Sequence, residues 1–127
     1  MTRAPYDIAN PPTAGDWLAM DEPGCIAAVE DAHRRTRSPV GQNPAAHALL
    51  HVVVENRLAE GHGAVVEAYE RLRAGGLSRH TAVHALASVA TRHMVAVLEQ
   101  STDFDQSTAD RDYAALDPAA WKPKPKP

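Results

Sequence analysis

The sequence predicts an all-α protein, a compact helical bundle of about four to five helices with disordered N- and C-terminal arms. Two observations carry this prediction. Hydrophobic residues make up 44% of the 127 residues but aromatics only 5%, so the apolar content is mostly Ala, Val and Leu. Ala and Leu are strong helix formers, and the apolar segments are bounded by helix start and stop signals. The length fits one domain.

The first two helices are predicted from capping residues. Thr13 can cap a short helix that carries Trp17, and Asp21 can cap a second helix with Pro23 in its first turn. A hydroxyl or carboxylate oxygen at the N-cap accepts a backbone N–H, and proline is tolerated in the first turn. The second helix is expected to end near His33, before a loop from Ser38 to Gln42.

The next three helices have clearer boundaries. Asn43-Pro44 predicts the start of a third helix that runs to about Glu60 and stops at Gly61. A fourth helix is predicted over about Gly63–Ala74. Ser78 then caps a fifth and longest helix that continues to about Gln100. The fifth helix is apolar on more than one side, which is typical of a central helix with several neighbours.

The chain ends are expected to lie outside the folded unit. Residues 1–12 contain three prolines and no periodic pattern, and are predicted to be a disordered arm. Residues 13–100 form the single helical domain in this prediction. Residues 101–127 comprise a linker, a weak helix near Thr108 to Leu116, and a tail in which Lys and Pro alternate.

Composition excludes several classes of function. The formal net charge is -3 with no dominant basic patch, so nucleic acid is not an expected partner. The single cysteine, Cys25, cannot form an internal disulfide or a thiolate-rich zinc site within one chain. The sequence shows no secretory signal and no apolar run near the roughly 18 residues of a membrane span. A cytoplasmic protein without membrane contact is therefore expected.

Seven histidines in so short a chain need an explanation, and four of them occur in two His-x-x-x-His pairs. His47 and His51 lie one turn apart on one face of the third helix, and Glu55 extends that stripe by another turn. His80 and His84 repeat the spacing at the start of the fifth helix. Two imidazoles one turn apart can share a metal ion. Glu55 is then a candidate ligand or a catalytic general base.

The third and fifth helices must face each other in so small a domain, so the two pairs are expected to converge at the level of His51 and His84. His33 can add a supporting ligand from the second helix. Glu30, three residues before it, is more simply a surface acid. His62 and His93 are left outside the site. The predicted metal ligands are His47, His51, His80, His84, Glu55 and His33.

This ligand set suits a divalent transition metal (Fe, Zn, Mn, Ni or Cu). It predicts a metal-binding protein, and its catalytic interpretation is a small metalloenzyme with redox dimetal or hydrolytic chemistry on a small-molecule substrate. The alternative is a non-catalytic, metal-stabilised homodimeric module, and a weaker one is haem bound through one histidine. A purely structural interpretation is also open. The histidines would then lie at the edges of the apolar helix faces and hydrogen-bond to backbone groups. Glu55 would form an ion pair with Arg57 or Arg92.

Two stretches, NPAAHALLHVVVENRLAEG (43–61) and GLSRHTAVHALASV (76–89), resemble a family of small bacterial His-rich helical proteins known as a domain of unknown function. The resemblance covers roughly residues 14–100. The resemblance implies a helical fold, and it implies that the matching positions act together. It implies no particular reaction. The matching positions are His33, His47, His51, Glu55, Asn56, His80 and His84. The sequence departs from the family pattern at Arg57, His62 and Arg92, where Gln and two acids are expected.

Overall fold

A computed structural model describes residues 6–36, 43–100 and 103–122. Over these residues the fold is all-helical, as predicted, with six α-helices, a short 3-10 turn and no strand. The elements are α1 (Ala14–Ala19), α2 (Glu22–Thr36), α3 (Pro44–Ala59), α4 (Gly63–Ala74), α5 (Arg79–Gln100), α6 (Gln106–Ala114) and the 3-10 turn (Pro118–Trp121). The predicted loop at 38–42 and the tail beyond residue 122 lie outside the described residues.

The residues predicted to begin and end the helices form the expected capping interactions. The Thr13 hydroxyl accepts the backbone N–H of Asp16, and the Asn43 side chain accepts that of Ala46. Both bonds satisfy N–H groups that have no partner inside the helix. After α3, Gly61 adopts a φ of +74°, a left-handed conformation that glycine reaches without steric cost. These caps explain why the helix limits follow the sequence closely.

Helix α3 occupies the centre of the bundle, because it packs against α2 on one side and α5 on the other. It contributes to both hydrophobic clusters of the core. The first cluster joins α3 to the N-terminal segment, α1 and α2, and its buried residues are Tyr6, Ile8, Trp17, Cys25, Val29, Ala32, Ala48 and Val52. The second joins α3 to α4, α5 and α6 around Val54, Val65, Leu72, Val83, Leu86 and Val89. The side chains of α2, α3 and α5 are thereby brought to one region.

The N-terminal segment corrects the prediction of a disordered arm over residues 1–12. Tyr6 and Ile8 are 1% and 5% exposed and belong to the first core cluster. The Tyr6 hydroxyl donates a hydrogen bond to the Glu55 carboxylate, and Arg79 donates to the backbone carbonyl of Ile8 at 2.9 Å. Two apolar side chains and a buried arginine therefore fasten residues 6–8 to the bundle. Residues 1–5 are outside the described part of the chain.

The C-terminal boundary predicted at residue 100 is also wrong, because α6 belongs to the core. Its Ala109 and Tyr113 are buried in the second cluster. Arg71 of α4 donates hydrogen bonds to the backbone carbonyls of Tyr113 and Leu116, at 2.9 and 3.2 Å. The Asp105 side chain caps the helix. The sequence signal was weak because only these two residues of a short polar helix face inward.

Helix α5 qualifies the expectation that no segment resembles a membrane span. By length and a mean hydropathy of 1.2 over 18 residues, it is apolar enough to cross a membrane. A helix buried in the core of a globular protein meets the same criterion. The first half of α5 is buried in this way, since Ala82, Val83, Ala85 and Leu86 have no exposed surface. The apolar composition of that half is therefore explained by packing.

A buried ion pair aligns α3 with α5. Two nitrogens of the Arg79 guanidinium donate to the two oxygens of Glu55 at 2.6 and 2.7 Å, and both side chains are buried. Burial alone would lower the pKa of Arg79, but the hydrogen bonds and negative charge of Glu55 outweigh it and raise that pKa. Burial and the neighbouring Glu55 charge likewise raise the pKa of Tyr6. Tyr6 therefore stays a neutral donor to this pair.

Removing one partner of this pair is expected to be costly. Arg79→Met leaves the Glu55 charge buried without its counter-ion, and we expect the free energy of unfolding to fall by about 3–5 kcal/mol. The triple change Tyr6→Phe, Glu55→Met and Arg79→Met should recover most of that loss, because no buried charge remains. Urea unfolding measures both values.

The control for this experiment is Arg34→Met, which removes an exposed arginine 3.9 Å from Asp31. Exposed pairs contribute little, so a change below about 1 kcal/mol is expected. Equal losses in the Arg79 and Arg34 variants would contradict the role given to the buried pair.

Candidate metal centre

Five histidines from three helices meet where α2, α3 and α5 pack together. His33 comes from the end of α2, His47 and His51 from α3, and His80 and His84 from the first turns of α5. His33 and His51 are 2% and 1% exposed, and the other three are partly buried. One ring nitrogen from each of His33, His51, His80 and His84 lies within 4.8 Å of the others, which makes a buried cluster that can hold a metal ion.

Within the cluster the Nε2 atoms approach one another very closely. His47 Nε2 lies 3.1 Å from His33 Nε2 and 3.1 Å from His51 Nε2. His51 Nε2 is in turn 2.9 Å from His84 Nε2. His47 thus sits at the edge of the group of four and touches two of its members. The sequence expectation that α3 and α5 face each other at His51 and His84 agrees with this contact.

These contacts cannot all be hydrogen bonds. An imidazole nitrogen carries either one N–H or one lone pair, directed along a single line in the ring plane. His47 Nε2 has two close nitrogen neighbours, and so does His51 Nε2. Each of these atoms can form one well-aligned bond, so at most two of the three contacts are satisfied. At least one of the three contacts therefore brings two ring nitrogens to about 3 Å without a hydrogen bond between them.

Two further ring nitrogens point to a missing partner. His51 Nδ1 and His80 Nε2 are buried and have no hydrogen-bond partner among the described residues. A buried polar atom without a partner costs about 1–3 kcal/mol. A metal ion would accept the lone pair of His80 Nε2 and remove that cost. The donor set thus fits a cation better than it fits an internal hydrogen-bond network.

The backbone of α2 prepares His33 for coordination. Its Nδ1 lies 2.9 Å from the carbonyl oxygen of Val29. A carbonyl only accepts, so Nδ1 carries the hydrogen, and in the neutral ring Nε2 is left with its lone pair. Metal-bound histidines commonly donate their other N–H to such a carbonyl, which fixes the tautomer and the ring orientation. In that tautomer the nitrogen with the lone pair, His33 Nε2, is the one that lies 3.1 Å from His47 Nε2.

Four of the five imidazoles, those of α3 and α5, are held in the neutral form that binds metals. Burial, followed by the proximity of the neighbouring histidines, lowers the pKa of His51 to about 2. Burial, followed by the proximity of His80, lowers the pKa of His84 to about 4. Burial and then His33 also lower the pKa values of His47 and His80. No proton therefore needs to leave these four rings at neutral pH before they donate to a cation.

The nitrogen separations match those of ligands around one ion. Two nitrogens at the usual 2.0–2.1 Å from a metal lie about 3.3 Å apart at the tetrahedral angle and about 2.9 Å apart at a right angle. The observed separations of 2.9 and 3.1 Å fall at the short side of this range. The four nitrogens of the metal-capable group lie within 4.8 Å of one another, so its wider pairs would draw closer together around one ion.

Glu55, predicted as a ligand or catalytic base, is not brought into the histidine cluster. Both of its oxygens accept hydrogen bonds from Arg79, and one also accepts from Tyr6. Its ion-pair partner is Arg79, which replaces the Arg57 or Arg92 expected for a purely structural role. The sequence did contain a signal for this pair. Glu55 follows His51 by four residues, and Arg79 precedes His84 by five. If His51 and His84 meet and the two helices run in opposite directions, Glu55 and Arg79 come to the same level.

The remaining candidates have other partners. His62 Nε2 lies 3.1 Å from an oxygen of Asp110, and His93 Nε2 lies 2.6 Å from an oxygen of Asp112. Both contacts tie α6 to the rest of the bundle, in agreement with leaving these histidines outside the site. Glu30 is half-buried and does not join the metal-capable group.

The buried neutral histidines should make the metal-free protein sensitive to acid. His51 and His84 have folded-state pKa values below the ordinary 6.5 of an unfolded chain. Their stabilising contribution is therefore complete above pH 6.5 and is lost as the pH falls below it. We expect the free energy of unfolding to drop by on the order of 1 kcal/mol per pH unit for the fully buried His51.

Urea unfolding of the metal-free protein between about pH 7.5 and about pH 5.5 measures this slope. The His51→Gln variant, which cannot titrate at that position, should show a shallower fall. Identical stability of the parent protein at both ends of the range would contradict the prediction.

Comparison with known proteins does not extend this description. No protein-family model matches the chain, and neither a curated protein nor a solved structure matches it. The resemblance to the bacterial family therefore stays a prediction.

Proposed function

We propose that the protein binds one divalent transition-metal ion through the histidine cluster of α2, α3 and α5. The observation that carries the proposal is the convergence of imidazole nitrogens at 2.9–3.1 Å in a site where two further buried ring nitrogens have no hydrogen-bond partner among the described residues. His33, His51, His80 and His84 are the ligands best supported by their mutual proximity. His47 is a fifth nitrogen at the same site.

One ion is better supported than two. Dimetal sites hold their ions about 3.5–4 Å apart, and the carboxylate-bundle class supplies several Glu side chains to them. Among the described residues, the metal-capable group contains only histidines. The nearest acid along the α3 stripe, Glu55, is already neutralised by Arg79. The contacts therefore favour a mononuclear nitrogen site over the redox dimetal centre considered from sequence.

The ligand chemistry narrows the choice of metal. Imidazole suits Zn, Cu, Ni and Fe, whereas Mn prefers carboxylate, carbonyl and water oxygens. Of the metals that the sequence suggested, Mn is thus the least supported. Hydrolysis that uses Glu55 as general base also loses support, because that carboxylate is held by two other side chains. The reaction that the site could support would depend on which metal is bound and on how many of its coordination positions the histidines leave open.

The metal would also stabilise the fold. Its ligands come from three helices, so coordination would link α2 and α5 to the central α3 and give His80 Nε2 a partner. Binding to the folded state adds stability according to mass action, about 2.7 kcal/mol when the free metal is 100 times the Kd. A metal-stabilised bundle and a reactive metal centre are therefore compatible functions of the same site.

The proposal is tested by metal titration of protein that carries no His tag. We expect one equivalent of Zn²⁺ or Co²⁺ per chain by elemental analysis. His51→Ala and His80→Ala should each weaken binding by at least about 100-fold, since even loss of an outer-shell partner commonly costs 10–100-fold. Thermal unfolding with and without metal reports the stabilisation.

The matched controls are His62→Ala and His93→Ala, which remove histidines that pair with Asp110 and Asp112 outside the cluster. They should retain one equivalent of metal with unchanged affinity. A parent protein that takes up no Zn²⁺, Co²⁺, Ni²⁺, Cu²⁺ or Fe²⁺ would refute the proposal.

A homodimer is a second candidate function, and a specific surface favours it. The last turns of α5 expose Leu98 and Val95, which are 79% and 42% accessible. Contiguous exposed apolar surface commonly marks a contact site, and these two side chains are three residues apart on one face of the helix. Leu98→Glu should convert a dimer to a monomer in analytical ultracentrifugation, while Glu99→Gln on the same helix end should not. A monomeric parent protein would exclude this candidate.

A further inference from the structure

A cavity of about 280 Å³ lies directly beside the histidine cluster. Three of the five histidines form part of its wall: His47, His51 and His84. The rest of the wall consists of Leu50 from α3, Ala87, Ser88 and Thr91 from α5, and Trp121 from the 3-10 turn. Ligand pockets for drug-sized molecules begin at about 300 Å³, so this cavity suits a smaller molecule. Its position gives such a molecule access to the edge of the cluster.

The wall carries no charged side chain among the described residues. Leu50, Ala87 and Trp121 provide apolar surface. Ser88 and Thr91 donate their hydroxyl hydrogens to the carbonyls of Ala85 and Ala87, at 2.6 and 2.8 Å. Their oxygens can then only accept hydrogen bonds from a ligand. An occupant therefore meets a mainly apolar surface with two acceptor oxygens.

The histidine cluster determines the charge that an occupant should carry. Neutral imidazoles do not reduce the charge of a divalent ion, and the ion would be the largest local charge in the site. The buried carboxylate of α3, Glu55, is paired with Arg79 and is not available to balance it. A buried charge without a counter-charge is strongly unfavourable. An anionic ligand that reaches the ion from the cavity would supply the balance.

We propose that this cavity binds a small organic monoanion, with its anionic group toward the metal and its apolar body against Leu50, Ala87 and Trp121. The proposal rests on the proposed function, since it requires a metal in the cluster. It assigns a ligand class to the site: a compact carboxylate, phenolate or thiolate with an apolar body. It also gives α5 two separate roles, because His80 and His84 hold the metal while Ser88 and Thr91 face the ligand.

Benzoate is a suitable probe, and benzamide is its neutral counterpart of nearly the same shape. Protein loaded with Co²⁺ is titrated with each, and the visible absorption of Co²⁺ reports a change of ligand. We expect benzoate to change the spectrum in a saturable way and to bind at least about tenfold more tightly than benzamide. Metal-free protein should bind neither with comparable affinity.

Two variants test the location. Ser88→Leu fills the cavity from α5, and Trp121→Ala removes one wall without adding bulk. Each should weaken benzoate binding by at least about tenfold while the Co²⁺ stoichiometry stays at one per chain. The control is Arg92→Leu, which adds the same side chain at an exposed position of α5 and should change neither value.

Each outcome has a defined meaning. If Co²⁺ binds but benzoate leaves its spectrum unchanged, or if benzamide binds equally well, the anion proposal is overturned and the metal site stands. If both cavity variants keep full benzoate affinity, the location is overturned. If no metal binds in the metal titration, the proposed metal-binding function is refuted, and the anion proposal that rests on it is refuted with it.

Discussion

The buried pair of Glu55 and Arg79 fixes the alignment of α3 and α5, and the rest of the site depends on that alignment. Glu55 lies one turn after His51, and Arg79 lies one turn or so before His84. When the two charges meet, His51 and His84 are brought to 2.9 Å. Charge pairing in a dry interior tolerates little displacement, because a shifted helix would leave both ions without a partner.

The same pair explains why the N-terminal segment is ordered over residues 6–8. Tyr6 and the carbonyl of Ile8 supply hydrogen bonds that the two charged groups still require after they have met. A buried ion pair is stable only when its remaining donors and acceptors are satisfied. The segment is thus part of the structure that aligns the metal centre, although it contributes no ligand.

The histidine cluster presents the opposite situation, since two of its buried ring nitrogens are not satisfied. His51 and His80 each have a buried nitrogen without a partner among the described residues. Well-packed interiors avoid such atoms unless a ligand or a function requires them. The protein thus places a fully satisfied ionic network one helical turn from an unsatisfied one. This contrast is the physical reason for assigning structure to Glu55 and metal binding to the histidines.

Helix positions and the participating histidines followed closely from local rules. Capping residues such as Asn43 act through bonds to residues three positions away, so the sequence determines them directly. The four-residue spacing of each histidine pair likewise fixes a common helix face. His33 was expected only as a supporting ligand, and the packing of α2 against α3 brings it to 3.1 Å from His47.

The sequence by itself therefore determined the helices, their limits and the identity of the histidines that gather. Only the tertiary structure decided the role of Glu55, the docking of Tyr6 and Ile8, the place of α6 in the core and the cavity beside His84. These features depend on residues that are distant in the chain, as Glu55 and Arg79 are. Local spacing cannot tell whether a carboxylate on the histidine stripe meets a metal or an arginine, because both partners are supplied by another helix.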